Sequence, residues 1–311
     1  MSKLNSQLIQ RFHDIIKRSS EVILDKENQI TNTVVCMIAR GHLLIEDEPG
    51  VGKTTLAQTI AKLTGLQQSR IQFTNDLLPA DIIGHMVFNQ DKHEFYFKEG
   101  PLFSELVLAD ELNRANPKTQ SALLQAMEES SVTVDRKTYS LAENFFLIAT
   151  QNPKMQIGTY ALPESQVDRF LMSIHLDYIS KESEVKLLLG DNPRKLIDGL
   201  KPIIGKNDLL AAYKESQSVH LDSKLAEFIA DLLQVTRTHQ DQFQTLSTRA
   251  GLALVQTSKA RAFLNGHDYV APDDLLLSLK PVLAHRLADQ QGLPFGEQKV
   301  EELLQLVQIP Q

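Results

Sequence analysis

Residues 46–55, Glu46-Asp47-Glu48-Pro49-Gly50-Val51-Gly52-Lys53-Thr54-Thr55, decide how the rest of the chain is read. An apolar run of strand length, Leu43-Leu44-Ile45, precedes them, and a helix-forming pattern, Leu56-Ala57-Gln58-Thr59-Ile60-Ala61, follows. A strand, a glycine-containing turn and a helix opening on Gly-Lys-Thr make a phosphate-binding loop. Backbone N–H groups of such a turn and helix N-terminus point at an anion, and the helix dipole adds to the attraction. The expected nucleotide contacts are Glu48, Pro49, Gly50, Val51, Gly52, Lys53, Thr54 and Thr55. Lys53 would reach the β- and γ-phosphates of a nucleotide, and the Thr54 hydroxyl would ligate Mg²⁺. The full motif carries glycine where this chain has Asp47. Aspartate tolerates unusual backbone angles better than most residues, so the loop is expected to form, with affinity the property at stake.

A second nucleotide signal lies downstream in Leu106-Val107-Leu108-Ala109-Asp110-Glu111, a buried-strand run ending in two acids. Parallel sheets buried on both faces produce such runs, and functional groups collect at the carboxyl ends of their strands. Asp110 is expected to hold Mg²⁺ through water and Glu111 to orient and activate the attacking water. Asn116 and Pro117 then start a helix that places Leu123, Leu124 and Met127 on one face. A further strand, Phe145-Phe146-Leu147-Ile148-Ala149-Thr150, leads into Gln151-Asn152-Pro153, where Asn152 is placed to bond the γ-phosphate or the lytic water. Leu171-Met172-Ser173-Ile174 reads as a last strand.

Composition narrows the class. The 311 residues are 42% hydrophobic and 23% charged, which describes a globular chain with length enough for a packed core. No apolar run reaches spanning length and the N-terminus shows no signal-peptide pattern, so the expectation is a cytoplasmic protein with no membrane span. Cys36, the single cysteine, sits in Val34-Val35-Cys36-Met37-Ile38 and reads as a small buried hydrophobe. The net charge of −7 offers no global electrostatic case for nucleic acid.

The pattern then divides. A helix face formed by Leu4, Leu8, Ile9, Phe12, Ile15 and Ile16 opens the chain, and strands alternate with helices to about residue 176. Beyond it the pattern is helical, with Leu225, Phe228, Ile229, Leu232 and Leu233 at helical spacing and further helices near 182–190, 207–216, 248–264, 272–289 and 297–307. Two hairpins interrupt the first half, one over 86–97 with a polar turn and one over 132–141 around a charged tip, Arg136 and Lys137. His85, Asp91, His93 and Glu94 lack any metal-ligand spacing and read as surface polar residues.

Several segments in order carry a family likeness. These are Ile45 to Thr54, Phe73-Thr74-Asn75-Asp76-Leu77-Leu78-Pro79-Ala80-Asp81 and Phe97-Lys98-Glu99-Gly100-Pro101-Leu102-Phe103. Ala109-Asp110-Glu111-Leu112-Asn113-Arg114-Ala115, the run Lys118 to Glu129, Ala149-Thr150-Gln151-Asn152-Pro153, Leu162-Pro163-Glu164 and Asp168-Arg169-Phe170 follow. The chain resembles an AAA+ ATPase and, within that superfamily, the MoxR group. The resemblance implies an α/β P-loop NTPase wedge, three αβα layers around a parallel sheet, over 1–178 with the two hairpins as inserts. An all-α lid over 179–311 follows it. It implies ATP hydrolysis with Mg²⁺ between subunits of a ring, with a hexamer as the expected assembly. A protein client is remodelled or activated, in some relatives a metalloenzyme or a von Willebrand factor A domain protein.

The same resemblance assigns Asn152 as the sensor-1 residue, Arg169 as the arginine finger acting on a neighbouring subunit, and Arg249 as the sensor-2 arginine. Guanidinium suits both arginine roles, because its planar fork of donors matches phosphate oxygens and never deprotonates. The competing reading of Arg249 is an exposed residue at a helix start capped by Ser247 or Thr248, and that of Arg114 is an interface residue or surface packing. Relatives carry a Val-Gly-Gln-like element around the adenine; here Ile23 and Leu24 stand in that place, without the glycine. The hairpins face the ring pore in relatives, which makes Arg136 and Lys137 client contacts, against a solvated turn as the alternative. Two other function classes share these residues. One is a nucleic-acid-remodelling ATPase, disfavoured by the net charge of −7; the other is a nucleotide-gated scaffold with little turnover. The ATPase subunit of magnesium chelatase is the runner-up within the motor class.

Overall fold

The computed structural model of the protein describes residues 4–48, 50–152, 158–190, 193–288 and 291–308. Two helices, α1 (Ser6–Val22) and α2 (Glu27–Ile38), come first. Asn5 caps α1 by accepting from the Leu8 N–H, and Leu8, Ile9, Phe12, Ile15 and Ile16 are buried along one face as their spacing requires. Residues 34–38, the apolar run around Cys36, form the last turns of α2 and are buried on every side. A helix enclosed all round shows no amphipathic period, so the sequence reading missed α2.

The sheet follows. Strand β1 (Leu43–Glu46) leads through the loop into α3 (Lys53–Thr64), then β2 (Gln68–Gln72) and α4 (Pro79–Ile83). The first hairpin is β3 (Gly84–Asn89) with β4 (Glu94–Glu99), followed by β5 (Leu106–Asp110) and α5 (Pro117–Glu129). The second hairpin is β6 (Ser131–Val134) with β7 (Lys137–Ser140). Strand β8 (Phe146–Gln151), the short α6 (Glu164–Val167) and β9 (Met172–Ile174) complete this half. The five core strands lie in the order β2-β5-β8-β1-β9, and their pairings are all parallel. Register pairs Gln72 with Asp110, Leu108 with Ile148 and Glu46 with Gln151, so the carboxyl ends of four strands meet along one edge. Ligands collect at such an edge.

Both hairpins form where the alternation placed them. The second turns through Asp135 (φ 47°) and Arg136 (φ 66°), the two left-handed residues that a tight hairpin needs to match strand twist.

The C-terminal half is helical: α7 (Lys181–Leu188), α8 (Pro193–Asp198), α9 (Lys206–Ser218), α10 (Ser223–Thr238), α11 (Thr248–Leu264), α12 (Pro272–Leu287) and α13 (Leu293–Leu304). It does not stand apart from the sheet. One continuous apolar core runs from α1, α2, α3 and β9 into α9 to α13, with Phe12 packed edge-on against Phe263 at 6.5 Å between ring centres. Each such fully buried side chain contributes about 1.5–3 kcal/mol relative to exposure. A second, smaller core on the other face of the sheet joins α4 and α5 to β5 and β8 and includes Leu123, Leu124 and Phe170.

Candidate active site

The loop between β1 and α3 bends through Gly50 (φ 92°) and Gly52 (φ 102°), angles that other residues reach only under strain. Gly52 is the N-cap of α3, so the first free N–H groups of that helix open onto the loop. A cavity of about 340 Å³ lies there, lined by Gly50, Gly52, Lys53, Thr54, Thr55, Arg70, Gln72, Asp110, Glu111 and Asn152. Five of the residues expected to touch phosphate are therefore together with both acids and Asn152. Val51 instead packs against the apolar core, Glu48 offers its carbonyl to Lys53, and Pro49 falls outside the described residues. Ile23 is buried in the core at the end of α1 and Leu24 is half-buried; neither is among the residues lining this cavity.

Lys53 spans the loop: its Nζ donates to the Asp47 carbonyl at 2.6 Å and to the Glu48 carbonyl at 3.2 Å. Partial burial pulls its pKa below the usual lysine value, against the opposing charges of Asp47, Asp110, Glu111 and Glu48.

Asp47 has a different role from the one its sequence position suggested. It is absent from the left-handed residues, so tolerance of unusual angles is not its contribution. Its carboxylate is buried and accepts from the backbone N–H groups of Leu176 and, at 3.0 Å, Asp177, as well as its neighbour Glu48. It ties the start of the loop to the chain leaving β9.

The acid pair is held from several sides. Thr150 donates to Asp110 Oδ1 at 2.7 Å and accepts from the Glu111 N–H at 2.9 Å. Glu111 sits just past β5 at φ 58°, a strained angle for a glutamate that the Thr150 bond helps to maintain. Asp110 Oδ2 is met by the Arg70 guanidinium at 2.6 Å, and Arg70 also donates to Gln72 Oε1. Gln72 donates to Glu111 Oε2 at 3.0 Å, and Arg114 Nε approaches the same oxygen at 3.0 Å. Arg114 thus belongs to the acid pair rather than to bare surface. Asn152 lines the cavity while its carbonyl accepts from Asn113.

Thr150, Arg70 and Gln72 were not singled out in the sequence. Arg70 and Gln72 had a usable signal: two polar residues spaced by two at the carboxyl end of a strand occupy one face.

Arg169 and Arg249 stand elsewhere. Neither lines the phosphate cavity; both converge on one carboxylate, Glu128 at the end of α5. Arg169 contacts Oε2 at 3.0 Å and Arg249 contacts Oε1 at 2.6 Å. Ser247 caps α11 as expected, and Arg249 lies in the first turn behind it. The expectation of a capped helix start and that of a functional arginine are compatible here. A larger cavity, about 690 Å³, lies between the Ala161–Asp168 segment and the helical region; none of the phosphate-loop residues line it.

Among the described residues no cluster of three or more His, Cys, Asp or Glu side chains is arranged to hold a metal by itself, and no helix is long and apolar enough to cross a membrane. Cys36 is buried, and burial raises its pKa.

The chain is similar to several known proteins. Residues 42–172 match the family described as ATPase family associated with various cellular activities (AAA), and residues 234–305 match the AAA lid domain. The uncharacterized protein YeaC of Bacillus subtilis is 40% identical over 300 residues, covering 95% of this chain and 93% of its own. Chaperone MoxR1 of Mycobacterium tuberculosis is 34% identical, covering 93% of this chain and 80% of its own. A crystal structure from Cytophaga hutchinsonii, of a protein assigned as an ATPase, superposes with a TM-score of 0.86 at 37% identity, covering 98% of this chain and 96% of that one.

Proposed function

The chain belongs to the MoxR group of AAA+ ATPases, and from that premise we propose that copies of it form a ring in which ATP hydrolysis remodels or activates a protein client. ATP hydrolysis is the activity of the family. The observation that supports the ring is the separation of parts. The phosphate cavity holds Lys53, Thr54, Asp110, Glu111 and Asn152 but neither Arg169 nor Arg249, which share Glu128 away from it. Arg70, the one arginine among the described residues lining it, is engaged by Asp110 and Gln72. A neighbouring copy that presents Arg169 and Arg249 would complete the site, and a closed ring gives every copy such a neighbour. Six copies is the number we favour.

Within one site the chain's residues divide the work. The backbone N–H groups from Gly50 to Thr55 and the Lys53 ammonium grip the phosphates. Thr54 Oγ and the Asp110 carboxylate are hard oxygen donors of the kind Mg²⁺ takes, and Asp110 already holds a cationic group in Arg70. Bound there, Mg²⁺ would neutralise charge on the β- and γ-phosphate oxygens. Glu111, once released from Gln72 and Arg114, accepts a proton from water that Asn152 helps to orient. Arg169 and Arg249 of the adjoining copy stabilise charge on the γ-phosphate in the transition state; such fingers are worth roughly 10³–10⁵ in rate in related phosphoryl transfers. Ile23 and Leu24 remain our assignment for the adenine, since Asp25 and Lys26 tie that turn to the Tyr178–Ser180 segment, a few residues past the Asp47-bound Leu176 and Asp177.

A protein client fits the first hairpin better than nucleic acid does. Phe88, Phe95 and Tyr96 are exposed there, with Phe88 and Phe95 rings 5.1 Å apart. Asp91 and Glu94 lie beside them, which disfavours a phosphate backbone. A von Willebrand factor A domain protein is the client class we favour, met in the cytoplasm.

Two measurements test the proposal. Titrating Arg169→Ala protein into wild type should depress activity per wild-type subunit; unchanged activity removes the role in trans. Affinity capture with Glu111→Gln protein and ATP should retain the client, and identification of the retained species distinguishes protein from nucleic acid.

A further inference from the structure

We propose that Arg286, on the lid helix α12, is the positioning residue that sets the arginine finger, so that the lid governs hydrolysis in the neighbouring copy. The inference rests on the reading of Arg169 as a residue acting in trans.

The geometry around Arg286 is unusually complete. Its Nε donates to Asp168 Oδ1 at 2.6 Å. Its Nη2 donates to the Asp168 carbonyl at 3.1 Å and to the Phe170 carbonyl at 2.8 Å, the two carbonyls that bracket Arg169 in the chain. Its Nη1 reaches the Leu171 carbonyl at 3.4 Å, contacts His285 Nε2 at 2.9 Å and donates to the Val282 carbonyl within α12. The Arg286 side chain is only 5% exposed. Burying a guanidinium is costly unless every donor is used, and truncating one partner of such a network leaves the others unpaired. Yet a buried ion pair adds little net stability over a well-packed apolar replacement. Its donors to the two carbonyls either side of Arg169 instead point to the geometry it imposes.

That geometry bears directly on the finger. Phe170 beside it is fully buried, so the backbone on one side is fixed by packing and on the other by Arg286. Asp168 extends the same network: its Oδ2 accepts from the Ser247 hydroxyl at 2.9 Å, and Ser247 is the cap of the helix that carries Arg249. Arg286, Asp168 and Ser247 therefore set the mutual position of Arg169 and Arg249, and Glu128 holds their guanidinium ends. None of these groups lines the phosphate cavity of its own chain. Displacing a catalytic group by about 1 Å can cost on the order of 10²-fold in rate, so the effect of losing Arg286 should fall on turnover at the adjoining site.

The experiment uses the full chain and mixed subunits. Arg286→Met should lower kcat roughly 10–100-fold while leaving ATP affinity within about twofold. Arg286→Lys, which keeps the charge without the fork, should fall between Met and wild type. Glu111→Gln subunits have intact fingers and inactive sites, whereas Arg286→Met subunits have intact sites and misplaced fingers. Mixing the two should therefore restore activity that neither has alone, as should mixing Glu111→Gln with Arg169→Ala. If the Arg169→Ala mixture recovers and both Arg286 variants stay at their unmixed rates, Arg286 acts within its own chain and the inference is overturned. If no mixture recovers, Arg169 does not act in trans and both readings fall together. A Met variant that does not fold leaves the decision to the Lys variant, whose recovery on mixing supports the inference and whose failure to recover overturns it.

Discussion

Asp110 and Glu111 are adjacent, yet their surroundings give them separate tasks. Asp110 is buried and bonded to Thr150 and Arg70, which fixes its carboxylate in place; Glu111 is turned away by its left-handed backbone and held by amide and guanidinium groups at one oxygen. Glu111→Gln should therefore retain ATP while lowering turnover by roughly 10²–10⁴, read by nucleotide binding and phosphate release on the same preparation. Arg70 bears on the cation instead. It occupies Asp110 Oδ2, so Mg²⁺ must compete with it. Arg70→Met should lower the Mg²⁺ concentration needed for half-maximal activity severalfold. A higher requirement would mean that Arg70 serves the phosphates. The phosphate loop and the acids were legible from sequence because each is a run of neighbouring residues. Glu128 and Arg286 were not, because their partners lie far along the chain, Arg286 being 118 positions from Asp168.

Between elements, the tie from Asp47 to the chain after β9 shows why a motif departure need not be a defect. Restoring glycine there, Asp47→Gly, removes the acceptor for three backbone N–H groups, those of Leu176, Asp177 and Glu48, of which that of Leu176 is buried. We expect a loss of about 1–3 kcal/mol in unfolding free energy, measured by denaturant titration, rather than a gain from conformity with the motif. The buried strands β1, β5 and β8 were readable as continuous apolar runs of strand length bounded by functional residues. The hairpins were readable from alternation, and α5 and α11 from their Asn116 and Ser247 caps. Helix α2 was not, since its enclosed end offers no polar face to set a period, and the short α8 offers too few residues for one to show.

At the scale of the whole molecule, two histidines make stability sensitive to mild acid. His42 accepts from the Leu147 N–H, and enclosure pushes its pKa down to about 4, against a hydrogen bond with the Met127 backbone. His285 is buried beside Arg286, and burial with that positive charge holds it well below the usual value. Well above pH 6.5 both are neutral in the folded and unfolded chain, so their full contribution is present. As pH falls from there toward 4, the unfolded chain takes up protons that the folded one refuses, and stability declines by up to about 1.4 kcal/mol per pH unit for each histidine. Unfolding midpoints at pH 7, 6 and 5 should show this decline, and His42→Gln, which can keep both bonds without titrating, should flatten it. An equal slope in that variant would assign the effect to other groups.

The apolar core shared by α1, α2 and α3 with α9 to α13 also decides how the chain can be cut. A fragment ending at residue 178 would keep every residue found to line the phosphate cavity yet bare the faces of α1 and α2 that Phe263 and its neighbours cover. Such a fragment should precipitate or recruit detergents and chaperones instead of behaving as a miniature enzyme. Dissection experiments should therefore leave the helical half attached.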